Sequence, residues 1–246
     1  MMKRLACIFL IIAIFVSGLA FSKVNGQGTT VGGNITSNTE WTVNGSPVIL
    51  NASVTVLANT TLTIDPGVTV NLGNRLLTVS GTLVAMGTSD NMITFTVPDN
   101  QSFNVQIYFS STSVGWSDAT NSGSIIQYAT FNKVVLQLTS SVKIDNCQFS
   151  SSSAQPFIGV SSGSPIISNN KIVFNGVGAG NTYGVSVNYG TPVITNNEFD
   201  GGGQLTGINA QASGFTISNN VFSNCWLGIK AETAVTVAIQ GNSFLG

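Results

Sequence analysis

The chain has 246 residues, a formal net charge of −1 from 8 basic and 9 acidic side chains, and no histidine. So few and so scattered cations exclude a nucleic-acid partner, because neutralising phosphates needs a basic stripe. A hydrophobic fraction of 43 % at near-zero charge also excludes a disordered chain, and without histidine the commonest general base and metal ligand are gone.

The first 26 residues read as an export signal. Lys3 and Arg4 make a basic n-region, Leu5 to Val16 an apolar h-region, and small residues follow, with cleavage sites after Ala20, Ser22 or Gly26. The apolar run to Phe21 is short for a bilayer span. The expected product, residues 27–246, is therefore extracellular or held at the cell surface, with no membrane span once the signal is removed.

From residue 40 to 110 apolar residues alternate in short runs, Val54/Val56, Leu62/Ile64, Val68/Val70, Leu77/Val79, Leu83/Ala85, Ile93/Phe95 and Val105/Ile107/Phe109. Turns such as Asp65-Pro66-Gly67 and Ser80-Gly81 separate them. No sustained period of 3.6 follows the signal, so essentially no helix is expected there.

The second half carries a repeat. Ile144-Asp-Asn-Cys-Gln-Phe149, Ile167-Ser-Asn-Asn-Lys-Ile172, Ile194-Thr-Asn-Asn-Glu-Phe199, Ile217-Ser-Asn-Asn-Val-Phe222 and Ile239-Gln-Gly-Asn-Ser-Phe244 align without gaps, and Ile126 to Phe131 is a weaker first copy. Successive anchors lie 18, 23, 27, 23 and 22 residues apart. A constant motif at variable spacing places the insertions in loops on a stack of coils. The anchor Ile points inward, the Asn pair bends the chain because Asn tolerates the left-handed region, and the closing Phe returns to the core. Stacking then aligns Asn170, Asn197, Asn220 and Asn242 as an amide column, with Cys147 in the same place one coil earlier. A second strand per coil is read at Gly184 to Val187, Gly207 to Ala210 and Gly228 to Ala231, and more loosely at Val134 to Leu138 and Phe157 to Val160.

The runs Thr61-Leu-Thr-Ile-Asp-Pro-Gly-Val-Thr-Val70, Leu77-Thr-Val-Ser-Gly-Thr-Leu-Val-Ala-Met-Gly-Thr88 and Ile93-Thr-Phe-Thr96 resemble the first coils of secreted right-handed parallel β-helix repeat proteins, within the pectate-lyase-like superfold. The Pro-x-Ile-x-Asn-Asn coils at 164–172 and 191–199 resemble their later repeats, with Ile172 in place of the Phe. The resemblance implies an all-β, single-stranded, right-handed parallel β-helix of about nine to ten coils with Asn-ladder turns. It says little of activity, since the superfold hosts lyases, hydrolases, adhesins and other proteins.

The cysteines fit the same register. Cys7 falls in the signal, and Cys147 and Cys225 lie three coils apart, roughly 14 Å at a spacing of about 4.8 Å. That is too far for a disulfide, so both are expected to be free, largely buried thiols. The chain stops just after a turn motif, and an open coil edge invites pairing. This points to a truncated product, a fragment, or a coil completed by another subunit.

Candidate chemistry is sparse. No calcium-type acidic repeat is present, Met86 and Met92 are the only thioethers beyond the signal, and neither a metal nor a cofactor is expected. Glu198 and Asp200 flank the inward Phe199 on one outer face, about 7 Å apart by strand geometry. That separation suits an inverting glycoside hydrolase, although Lys171 one coil below Glu198 also makes an ordinary ion pair. Trp116, Tyr183, Tyr189 and Trp226 sit near turns, where an aromatic face can stack on a sugar ring, although Trp226, just after Cys225 and before a strand, reads equally as a capped core position. The outward column Ile125, Lys143, Ile166, Val193, Thr216 and Ala238 is mostly apolar. It reads either as a partner surface or as the usual preference of strands for β-branched residues. The expected role is a non-enzymatic binding, adhesion or envelope module with polysaccharide or cell-surface protein partners. The alternative is a polysaccharide lyase or glycoside hydrolase.

Overall fold

A computed structural model describes residues 28–98, 105–152, 156–176, 182–232 and 236–246. The expected signal, residues 1–26, lies outside the described residues. Every strand-to-strand ladder is parallel, and the strands stack into a β-solenoid of about nine turns. The one helical element among the described residues is a 3-10 turn at Val43–Gly45, and no described helix is long and apolar enough to cross a membrane.

A full coil contributes three strands. In the coil beginning at Val193–Thr195, the Asn196-Asn197 bend leads into Glu198–Asp200, and a second turn leads into Leu205–Ala210. The chain then climbs to Phe215–Ser218, one level up. The first strand of each coil joins a nine-stranded sheet. The other two form parallel ladders that merge where Val48–Val56 runs continuously through both. Thr29–Ile35 follows it with a shift in register between Val31 and Gly33.

The register matches the aligned motif. Ile126, Ile144, Ile167, Ile194, Ile217 and Ile239 stand in one column. Phe95, Phe131, Phe149, Ile172, Phe199, Phe222 and Phe244 stand in another. Alternation puts these columns inward, and all but the last member of each are buried. The rings stack as two runs, Phe95–Phe131–Phe149 and Phe199–Phe222–Phe244, with Ile172 as the interruption. Ile239, Phe244 and Leu245 of the last coil are exposed.

Each bend divides its work between two residues. The first takes a left-handed backbone, at Tyr128, Asn146, Asn169, Asn196 and Asn219, with φ between 48° and 57°. The second turns inward. Asn170 Nδ2 donates to Asn197 Oδ1 at 2.9 Å, Asn197 Nδ2 to Asn220 Oδ1 at 2.9 Å, and Asn220 Nδ2 to Asn242 Oδ1 at 3.0 Å. Each also donates to the carbonyl of the anchor Ile in the coil below. Buried amides are thereby satisfied inside an apolar core, where an unpaired one would be costly.

Candidate functional site

Glu198 and Asp200 lie on a strand surface, not in a cleft. Lys171 sits directly below Glu198 in register, its Nζ 3.1 Å from Glu198 Oε1, and both side chains are about half exposed (51 % each). Asp200 receives Asn224 Nδ2 at 3.4 Å from the coil above. Neither carboxylate lines any of the three cavities described below.

The four aromatic candidates are dispersed. Tyr183 is half-buried on the strand Thr182–Val187, in register with Thr206 and then Leu227, so Trp226 stands two coils above it. Trp226 is 67 % exposed, with its backbone N–H on the Leu205 carbonyl at 2.9 Å. Tyr189 is 71 % exposed beyond the far end of Tyr183's strand. Trp116 belongs to a different surface, the long excursion of residues 110–124 that reaches the nine-stranded sheet.

That excursion builds a wall. Ser113 and Ser124 clasp its base through their hydroxyls at 3.1 Å, and the Ser124 N–H bonds the Val114 carbonyl at 3.0 Å. A bridge between Ser117 and Ser122 closes its tip. The Trp116 N–H bonds the Ser141 carbonyl at 2.6 Å, and its indole Nε1 donates to Asp118 at 2.8 Å. Lys143 Nζ lies 5.2 Å from the ring centroid, a cation–π distance, and 3.5 Å from Asp118. Between wall and sheet is a cavity of about 420 Å³. Val84, Met86 and Ile125 form its floor, Val114 and Trp116 its side, and Thr61, Thr82, Asn121 and Ser122 supply the polar atoms.

The outward column is accordingly not one exposed apolar stripe. Val84 extends it below Ile125, and Ile125 is only 2 % exposed because the excursion covers it. Val193, three coils up, is 43 % exposed. Two smaller cavities lie elsewhere. One of about 230 Å³ beside the bends includes Met92, Tyr128, Asn146 and Lys171, and one of about 270 Å³ at the first coil includes Val31 and Trp41.

Asp145 is a site that sequence reasoning missed. It is 6 % exposed and takes four side-chain donors, Gln127 Nε2 and Asn146 Nδ2 at 2.8 Å, and Ser168 Oγ and Asn169 Nδ2 at 2.7 Å. Burial acts to raise its pKa, but the donors from Ser168, Asn169, Gln127 and Asn146 outweigh it, and the carboxyl sits below its ordinary value. The signal was in the repeat, since Gln127, Asp145 and Ser168 occupy one position of three successive coils.

Both thiols are free. Cys147 is buried in the amide column and burial pushes its pKa up to about 12, with the Asp145 charge adding to the rise. Cys225 is only half-buried, against the expectation of a largely buried thiol, because it lies in the turn before Trp226 and not in the column. Burial still raises it to about 11, leaving both thiols protonated and unreactive at neutral pH. Among the described residues, no group of three or more Cys, Asp or Glu side chains could hold a metal ion. Comparison with protein-family models, with curated proteins and with solved structures yields no match.

Proposed function

We propose that the protein is an exported, right-handed β-helix module at the cell surface that binds a glycan without turning it over. The observation that carries this reading is Trp226, a large ring two-thirds in water on a rigid coil, beside the exposed Leu227 and two coils from Tyr183. A flat apolar face of this kind stacks on sugar rings, and a solenoid presents it on a scaffold that needs no reordering on binding. The Lys171–Glu198 pair supports the non-enzymatic part, since it occupies the carboxylate nearest to a catalytic arrangement. The basic n-region and apolar run of residues 3–16 support export.

The test is a panel of neutral and acidic polysaccharides in affinity electrophoresis, comparing the wild type with Trp226→Ala. Retardation by at least one glycan, weakened about tenfold or more in the variant at unchanged melting temperature, is the expected result. No retardation anywhere on the panel, or equal retardation of both proteins, overturns the reading.

A further inference from the structure

We infer that the 420 Å³ cavity beneath residues 110–124 is a binding site for a neutral, largely apolar small molecule, aromatic or alicyclic, that lies against Trp116. The inference is independent of the glycan reading, which concerns a different surface.

The volume falls within the range of about 300–1,000 Å³ of small-molecule sites. The lining carries no acidic or basic side chain, so a charged ligand would lose its hydration without a counter-charge. Nearby charges are already committed, since Lys143 and Asp118 pair with each other and each also contacts the indole. The floor of Val84, Met86 and Ile125 offers no strong hydrogen-bonding group to a ring bearing hydroxyls on most of its carbons. A sugar pressed there would leave hydroxyls unpaired, whereas an apolar ring displaces water from Val84 and Met86. The polar atoms are confined to Thr61, Thr82, Asn121 and Ser122, enough to orient one or two heteroatoms.

The wall is also built in advance. Trp116 is fixed by its backbone bond to Ser141, its indole bond to Asp118 and the ammonium of Lys143, so little ordering remains to oppose binding. Gly115 and Gly123 hold the two limbs of the excursion together. Gly123 has φ +114°, and a Cβ there would meet the Gly115 carbonyl group. Such a close approach leaves no room for a side chain at Gly123.

The test uses the neutral fluorophore N-phenyl-1-naphthylamine as probe, titrated into the wild type, Met86→Lys, Trp116→Ala and, as a control on the same sheet face, Val193→Lys. Saturable probe fluorescence in the wild type and in the Val193 variant, with affinity reduced tenfold or more in Met86→Lys and Trp116→Ala at unchanged circular dichroism, is the expected outcome. Displacement of the probe by glucose or xylose would move the site to the sugar class and overturn the assignment. So would a wild type without saturable binding, or cavity variants that bind as the wild type does. Should Trp116→Ala unfold, the Met86 variant at the cavity floor carries the comparison alone.

Discussion

Asn220 Oδ1 accepts both the backbone N–H and the side-chain Nδ2 of Asn197, each at 2.9 Å, in the buried interior of the stack. One oxygen thus ties two coils together at a bend where the strand ladder is interrupted. Asn220→Ala strands the backbone N–H of Asn197, leaves its Nδ2 only the Ile167 and Thr195 carbonyls, and removes the amide donor to Asn242 Oδ1 and to the Ile194 carbonyl. Buried polar groups stranded in this way cost about 1–3 kcal/mol each when no water reaches them. A loss of about 3–4 kcal/mol in urea unfolding is expected, and a loss below about 1 kcal/mol would assign the column a minor role.

Cys147 ends that column with weaker bonds. Its N–H still donates to Asn170 Oδ1 at 2.9 Å, but its Sγ offers only long contacts to the carbonyls of Ile126 and Asp145, at 3.6 and 3.3 Å. Cys147→Asn places an amide where the coils above have one, able to reach the Ile126 carbonyl and Asn170. The variant is expected to match or exceed wild-type stability by about 1 kcal/mol, read as the urea midpoint. A clear destabilisation would mean that the smaller thiol is there for space.

Asp145 makes the stack acid-sensitive. Its pKa is depressed in the folded state, so its contribution is complete above the unfolded value near 3.8 and is lost as pH falls through the folded value. Below about pH 4 stability should therefore fall more steeply in the wild type than in Asp145→Asn. At pH 7 the variant is expected to be less stable by about 2–3 kcal/mol, having exchanged four charge-assisted bonds for neutral and partly mismatched ones. Parallel pH profiles of thermal unfolding for the two proteins would contradict this role.

Gly207 is required by a ring. A Cβ there would lie 2.5 Å from Phe222 Cδ1 and 2.6 Å from the Gly228 carbonyl oxygen, neither of which can retreat within the stack. Gly207→Ala is expected to cost about 1–3 kcal/mol as overpacking, measured by thermal unfolding, and Phe222→Leu should recover part of the loss. Equal effects in single and double variants would show that the ring is not the obstacle.

The coils were legible in the sequence because their cause is local. An inward Ile recurs in each repeat, with a left-handed Asn and a returning Phe in most, and the register follows once the motif is aligned. Even the Lys171–Glu198 contact could be read from that alignment. What could not be read depends on chain outside the motif. The segment 110–124 has no periodicity, so nothing local reveals that it covers Ile125 and forms one side of an open cavity. The gathering of Gln127, Ser168 and Asn169 on Asp145 draws on three coils. Trp226 stayed ambiguous between core and surface until its neighbours were placed, because a ring before a strand has no alternation to assign it.

The claim that Glu198 and Asp200 belong to the surface chemistry of a stack, and do not act as an acid–base pair, is the one on which the functional account turns. Its most direct test is the release of new reducing ends and unsaturated sugars from the same polysaccharide panel by wild type and Glu198→Gln. The account predicts no release above the buffer blank from either protein. It also predicts melting temperatures alike within the small effect of an exposed pair, at most about 1 kcal/mol. Sustained turnover by the wild type that Glu198→Gln abolishes would contradict it.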